Sequence, residues 1–126
     1  MKFDKDGNWV KEWGKRGEAA GEFHTVHAIA TDGKGNVYVG DRAGAPWSVC
    51  ITPGPKQVLY TSDSTNGRIY KLDLDGKILG AFGKPGKQPG QFGWVHEISC
   101  PSENTLFVAE LLNWRVQKLI LYPAEK

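Results

Sequence analysis

Two histidines are the residues of this chain whose type and spacing best suit chemistry. His27 and His96 occur in matching local sequences, Val-His-Ala-Ile and Val-His-Glu-Ile. A neutral imidazole is a common zinc ligand, and a catalytic zinc usually takes three protein ligands and leaves one position open. One chain supplies two such imidazoles, whereas a symmetric dimer could supply four. His24 has no counterpart, because Gly93 occupies its place, and we expect it on the surface.

A second recurring set combines acidic residues with arginines and asparagines at a fixed spacing. A carboxylate and a guanidinium so spaced can satisfy turn amides and pair with each other. We therefore predict structural bonding at turns and between units, and the alternative is that Arg68 or Arg115 binds an anionic ligand. The set consists of Asp41, Asp63, Asn66, Arg68, Glu110, Asn113 and Arg115.

Other signals of catalysis or of polyanion binding are missing from the sequence. It contains no Gly-x-Ser-x-Gly, Cys-x-x-Cys or His-Glu-x-x-His motif. The formal charge is +2, from 16 basic and 14 acidic residues without a long block of either sign, which predicts binding neither to nucleic acid nor to a membrane surface. Cys50 and Cys100 lie in apolar runs, and we expect two buried free thiols.

The chain repeats itself, and the repeats define the elements that must position these residues. Residues 3–41 align without a gap on residues 72–110, a shift of 72 − 3 = 69, with twelve identities in 39 positions. Residues 59–74 align on residues 106–121, a shift of 106 − 59 = 47, which is about one four-stranded β-propeller blade. Residues 37–41 match residues 59–63 with a shift of 22, so 47 − 22 = 25 residues are missing after Arg42.

Short Val-, Ile-, Leu- and Tyr-rich runs between Gly- and Pro-containing turns predict β-strands. The Asp75-Gly76 pair predicts a type I′ hairpin turn. We expect residues 43–46 to cross over between units and Pro123 to end the last strand. The predicted strands are 9–13, 26–31, 37–42, 48–52, 58–62, 68–74, 78–82, 95–100, 106–110 and 116–121.

Three segments resemble the NHL repeat: Gly21-Glu22-Phe23, the run DGKGNVYVGD at residues 32–41, and Asn66-Gly67-Arg68-Ile69. NHL repeats build β-propellers, usually of six blades. Within that group the chain is similar to bacterial propellers related to the amidating lyase of peptidylglycine processing, which carry histidines in a Val-His-x-Ile setting. The resemblance implies that His27 and His96 line a central channel, where histidines can hold zinc. Alignment of Thr52 on Thr31 places Ser48 at the same channel-lining position of the middle unit. Alternatively, both histidines form hydrogen bonds across a wet channel.

The predicted fold is all-β, a partial β-propeller of four-stranded antiparallel NHL-type blades. It is a single domain over residues 1–126, with an outer strand in 1–14, a truncated half blade in 21–46, a complete blade in 47–83 and a three-stranded blade in 90–122. The outer strand is complementary to the last blade, so we expect it to close that blade in another copy. The expected oligomer edge comprises Trp9, Trp13, Val116, Leu119 and Leu121.

The function favoured by the sequence is a non-enzymatic binding or scaffolding module for a small molecule or a protein. We expect it to form a homo-oligomer, a dimer before a trimer, and to need no cofactor. The alternative is a metal-dependent lyase or hydrolase that an oligomer builds around His27 and His96, with zinc or calcium. A third interpretation is a recombined remnant without an evolved ligand. No signal peptide or membrane-spanning run is visible, which predicts the cytoplasm by default.

Overall fold

All regular secondary structure in the part of the chain that the structure describes is β-strand. The computed structural model describes residues 1–41 and 46–122, and these residues form eleven strands and no helix. The strands are β1 (Lys2–Phe3), β2 (Trp9–Lys11), β3 (Val26–Thr31), β4 (Val37–Asp41), β5 (Val49–Ile51), β6 (Leu59–Asp63), β7 (Arg68–Leu72), β8 (Ile78–Phe82), β9 (Val95–Ser102), β10 (Thr105–Glu110) and β11 (Arg115–Ile120).

The strands form four antiparallel sheets in which neighbours in the chain are neighbours in space. β1 pairs with β2, β3 with β4, β5 to β8 form a four-stranded sheet, and β9 to β11 form a three-stranded sheet. Antiparallel neighbours need only short turns, which the Gly-, Asp- and Asn-containing segments supply. The predicted all-β class is therefore confirmed. Residues 42–45, which include most of the expected crossover, and Pro123 lie outside the described residues.

The core lies between the four-stranded and the three-stranded sheet. Successive side chains of a strand point to opposite faces, so alternate residues are buried. Tyr60 on β6 and Val108 on β10 have no exposed surface, and Ile69 on β7 and Phe92 just before β9 are buried with them. Burying a side chain of this size contributes about 1.5–3 kcal/mol. Among the described residues, β1 to β4 add nothing to this apolar cluster.

The shift of 69 residues found in the sequence is reproduced in three dimensions. Gly14 and Gly83 both adopt a positive φ, 84° and 90°, and each lies against a phenylalanine ring. A Cβ at either position would lie 2.4 Å from Cε2 of Phe23 or Phe92, so only glycine fits there. The N-terminal segment thus has the same local fold as the segment that leads into β9.

The N-terminal strand is shorter than predicted and has an unexpected partner. It spans Trp9–Lys11, and it pairs with β1, a strand that the sequence analysis did not predict. The turn between them is held by Asp4, whose Oδ1 accepts hydrogen bonds from the backbone N–H of Asp6 and Asn8. Among the described strands β2 therefore pairs with β1 alone, in a separate two-stranded hairpin.

The predicted type I′ turn between β7 and β8 is wrong, although the hairpin is present. A type I′ turn needs a positive φ at both central residues. Gly76 has φ 88°, but Asp75 does not have a positive φ. The Asp73 carboxylate instead accepts hydrogen bonds from the backbone N–H of Asp75 and Lys77, and Gly76 N–H donates to the Asp73 carbonyl. The Asp73 side chain thus forms hydrogen bonds with the backbone of the turn that follows it, and these bonds stabilise a turn other than type I′.

The expectation of two free thiols is also wrong. Cys50 on β5 and Cys100 on β9 form a disulfide, with their Cα atoms 6.1 Å apart. Cys50 pairs with Tyr60, and the residue of β9 at the equivalent place is Ser99, which pairs with Phe107. Cys100 lies one residue further along and so points to the opposite face. The one-residue offset turns the two sulfur atoms toward each other across neighbouring sheets.

No helix long and apolar enough to cross a membrane occurs in residues 1–41 and 46–122.

Candidate functional site

The two histidines and Trp47 occupy equivalent positions at the starts of three strands. Ile29, Val49 and Ile98 are equivalent, because each pairs with a matching residue of the next strand, Val39, Thr61 and Val108. Counting back two residues from each gives the three residues at the same level, which are His27, Trp47 and His96.

The prediction that Ser48 occupies the level of the histidines is therefore off by one residue. Alignment on Thr31 and Thr52 suggested Ser48, but the pairing register places Trp47 there. A shift of one residue moves a side chain to the other face of its strand. Ser48 is accordingly buried, while His27 and His96 are exposed.

His27, Trp47, His96 and the neighbouring Trp94 form a group of ring contacts, which we call the histidine–tryptophan cluster. The ring centroids of His27 and Trp47 are 4.0 Å apart, and those of His27 and His96 are 6.0 Å apart, edge to face. Trp47 is also 5.0 Å from Trp94 in an edge-to-face arrangement. Such pairs contribute about 0.5–1.5 kcal/mol beyond their buried area. The cluster joins the starts of β3, β5 and β9.

Trp94 is held in a strained conformation beside this cluster. Its φ is 59°, in the left-handed region that a bulky residue rarely adopts. Its indole Nε1 is buried and finds no hydrogen-bond acceptor among the described residues. Strained backbone costs about 1–3 kcal/mol and is often found at functional sites. Among the described tryptophans Trp114 shares the left-handed φ but is exposed, and no sequence pattern indicated that Trp94 would combine this φ with a buried indole N–H.

Ser48 locks the sheets together beneath the cluster. Its Oγ donates to Glu97 Oε1 at 2.9 Å and accepts from the backbone N–H of Ile98 at 3.0 Å. Its own backbone N–H donates to Ser62 Oγ at 3.2 Å. These bonds connect β5 and β6 with β9, so Ser48 positions the neighbouring strand start and does not face a channel.

The histidines partly fit a metal site. Nδ1 of His27 lies 2.9 Å from the Trp47 carbonyl oxygen, and a carbonyl can only accept, so Nδ1 is the donor. This bond leaves Nε2 of the neutral ring with a lone pair, which is the arrangement usual for a metal-bound histidine. Among the described residues no three His, Cys, Asp or Glu side chains converge. Two imidazoles in one chain are fewer than a catalytic zinc takes.

Of the acidic residues that recur within the chain, Glu110 accepts the most hydrogen bonds among the described residues, and it is buried at the end of β10. Oε1 accepts from Arg115 Nε and from Gln117 Nε2, both at 2.6 Å. Oε2 accepts from the Gly93 backbone N–H at 2.8 Å and from Asn113 Nδ2 at 2.5 Å. Burial raises the pKa of Glu110, but these hydrogen bonds outweigh it and hold the pKa below its usual value.

Arg115 extends this network to the segment that precedes β9. Its guanidinium also donates to the carbonyls of Lys87, Gln88 and Gln91. Asn113 donates in addition to the Gly86 carbonyl at 2.8 Å. The three-stranded sheet is thereby fastened to the loop that leads into it. This arginine is engaged by the protein itself.

The equivalent sites on the other sheets differ from it. Asp41 accepts from the backbone N–H of His24 and Thr25, and Asp63 accepts from the backbone and side chain of Asn66. The pairing of Asp63 with Arg68 that the sequence suggested does not form among the described residues, although Asn66 bonds Asp63 as Asn113 bonds Glu110. In the part of the chain that the structure describes, the Arg68 side chain is exposed and has no hydrogen-bond or ion-pair partner.

The five residues of the predicted oligomer edge do not share one environment. Trp9, Trp13 and Val116 are exposed. Leu119 and Leu121 instead pack against the core cluster. The burial alternates along β11 because one face of the strand points to the core between the two sheets, while its outer face and outer edge have no partner among the described strands.

No protein-family model matches the chain.

Proposed function

We propose that the chain is a non-enzymatic binding or scaffolding module, a partial β-propeller of NHL type that assembles with further copies of itself. The exposure of large apolar side chains on strands at both ends of the fold carries this proposal. Val26 and Ile29 on β3, and Val116 and Ile120 on β11, are all exposed. Apolar residues that share a strand face, beside an unpaired strand edge, are typical of a surface that another chain covers.

The free edge of β11 supports strand addition by the N-terminal segment of another copy. β11 pairs with β10 alone among the described strands. In the four-stranded sheet the equivalent strand, β7, pairs with β8. Trp9 to Trp13 is the counterpart of β8 at the shift of 69 residues. The N-terminal strand of one copy would therefore occupy the place beside β11 of another.

The histidine–tryptophan cluster is the surface we assign to a ligand, which would be a small molecule or a protein segment. Tryptophan and histidine combine an apolar ring with a polar atom, and they suit binding surfaces for that reason. His27 and His96 offer exposed ring atoms, and Trp47 and Trp94 form the floor beside them.

The test of self-assembly is the solution mass by light scattering during size-exclusion chromatography. The chain mass is 13.9 kDa, and we expect a discrete species of twice that mass. A discrete trimer would support the same proposal with another ring size. A monomer at micromolar concentration would refute it.

A metal-dependent lyase or hydrolase is the second candidate, and one observation favours it. The bond from His27 Nδ1 to the Trp47 carbonyl leaves Nε2 available, 6.0 Å centroid to centroid from a second exposed imidazole. An oligomer that brings together the histidines of two copies would supply four imidazoles, more than the three protein ligands of a catalytic zinc. Zinc bound there would act as a Lewis acid or activate water.

Metal content of protein purified without added zinc separates the two candidates. For the enzyme we expect about one zinc per dimer, lost in His27→Ala and in His96→Ala. His24→Ala is the matched control, because His24 lies outside the cluster and should leave the zinc content unchanged. Protein without zinc, with no change in zinc affinity in either cluster variant, would rule out the enzyme.

A further inference from the structure

We propose that the contact between copies repeats a contact that the molecule already makes internally. Within one chain the four-stranded sheet packs on the three-stranded sheet. Between copies, the outer face of the three-stranded sheet would pack in the same way on β3 and β4 of a second copy. This inference rests on the proposed self-assembly and names its two surfaces.

The first surface is the face of β3. Val95 and Ile98 on β9 are buried against the four-stranded sheet, with 0% and 3% of their surface exposed. At the shift of 69 residues their counterparts are Val26 and Ile29, which are identical in type. These counterparts are 52% and 62% exposed. The side chains that fill the internal contact are thus present again on β3 without a covering sheet.

The second surface is the outer face of the three-stranded sheet. Tyr60 and Ile69 of the four-stranded sheet are fully buried where that sheet covers β9. At the shift of 47 residues their counterparts are Phe107 and Val116, which are 39% and 65% exposed. Both surfaces of the internal contact therefore have an exposed apolar counterpart, one on β3 and one on the three-stranded sheet. In the proposed assembly the three-stranded sheet of one copy packs on β3 of the next.

The charged rim of the internal contact does not recur. Lys71 Nζ forms an ion pair with Glu103 Oε1 at 2.5 Å. The counterpart of Lys71 is Lys118, and the counterpart of Glu103 is Lys34, so two positive charges would face each other between copies. Like charges at a rim oppose association, which makes Lys34 a position where a single change should strengthen it.

The contact is heterologous, because each copy presents β3 at one end and the three-stranded sheet at the other. Such contacts form closed rings when the rotation closes and open filaments when it does not. In a closed ring the β3 face and the three-stranded sheet of every copy are covered, and the ring has a discrete mass.

The internal disulfide supplies a direct test of the geometry. Cys50 and Cys100 join the two sheets. The counterpart of Cys50 by pairing register is Ser99, and the counterpart of Cys100 at the shift of 69 residues is Thr31. Both are exposed. The variant Ser99→Cys/Thr31→Cys should therefore form disulfides between copies on mild oxidation, seen as a covalent oligomer on a non-reducing gel and lost with reductant.

The matched control is Ser99→Cys/Ala30→Cys, in which the second cysteine points to the opposite face of β3. We expect at least tenfold less covalent oligomer from it. Equal cross-linking of the two variants, or none in either, would overturn the inference. A discrete oligomer in light scattering without the specific cross-link would leave self-assembly standing and refute these surfaces. A monomer would refute both proposals.

Two substitutions test the surfaces without new cysteines. Ile29→Asp should weaken association at least about 100-fold, because it places an unpaired charge in an apolar contact. Ile78→Asp is its control, since Ile78 is equally exposed, at 59%, and belongs to neither surface. Lys34→Glu should strengthen association about two- to tenfold by restoring the ion pair. Weakening by Lys34→Glu, or equal effects of the two aspartates, would contradict the proposal.

Discussion

Reduction of the disulfide between Cys50 and Cys100 should remove a large part of the stability of this protein. The bond closes a loop with a sequence separation of 50 residues. The loop-entropy relation for a closed loop of that length gives about 4 kcal/mol at 25 °C. Domains of this size are stable by about 5–15 kcal/mol, so the reduced chain would retain only part of its stability.

Urea unfolding followed by tryptophan fluorescence, with and without reductant, measures this loss. With a urea dependence of about 2 kcal/mol per M, a loss of 4 kcal/mol lowers the midpoint by about 2 M. Cys50→Ala/Cys100→Ala should unfold near the midpoint of the reduced protein and should not respond to reductant. Cys50→Ala alone would leave a free thiol, so the double variant is the proper control.

Two results would refute this reasoning. The first is a midpoint that reductant leaves unchanged within about 0.5 M, since the loop closure would then contribute almost nothing. The second is the titration of two free thiols in urea-unfolded protein that has never been reduced. If the loss is confirmed, the chain should fold most stably in an oxidising compartment. That outcome would count against the cytoplasmic location expected from the sequence.

Three further predictions concern single positions. Glu110→Gln should lower the free energy of unfolding by about 3 kcal/mol, because each carboxylate oxygen accepts from at least two donors and an amide replaces one oxygen. Asp63→Asn, at a carboxylate without an arginine partner, should cost less in the same urea assay. The pKa of Glu110 is lowered on folding, so its contribution to stability is fully present above the usual value of 4.5 and is lost as pH falls through the lowered pKa. Glu110→Gln should therefore make the free energy of unfolding depend less on pH in that window. An unchanged pH profile would contradict this. Trp114→Gly should raise the free energy of unfolding by about 1 kcal/mol, because Trp114 has φ 52° and is 92% exposed. Its counterpart Gly67 adopts a φ of 57°, which costs glycine little. A loss of stability would show that the indole makes contacts that outweigh the backbone strain.

The strands and the repeats could be predicted from the sequence because their signals are local. Alternating apolar residues between turn residues indicate strands wherever the segment lies in the fold. A gap-free match such as Gly14/Gly83 with Phe23/Phe92 also predicts the same local contact twice, and the structure has it in both places. The two histidines were singled out for the same reason.

Which residue faces which sheet was decided only by tertiary structure. Alternation has a period of two, so an alignment error of one residue exchanges the two faces of a strand. This error put Ser48 in the place of Trp47. The same offset of one residue, between Cys100 and Ser99, lets Cys100 reach Cys50. The sequence separation of 50 residues does not reveal this offset, because only the pairing register shows that Ser99 is the residue equivalent to Cys50.

By itself, then, the sequence determined an all-β chain of repeated antiparallel units, with acidic and basic residues at equivalent turns. Tertiary structure decided the partners. Glu110 and Arg115 are joined because the loop before β9 brings three backbone carbonyls over the guanidinium, whereas no carbonyl of the described residues accepts from Arg68. Trp94 is strained, and the N-terminal strand pairs with β1. Local patterns specify conformation, but contacts between distant segments depend on register and packing, which no local pattern contains.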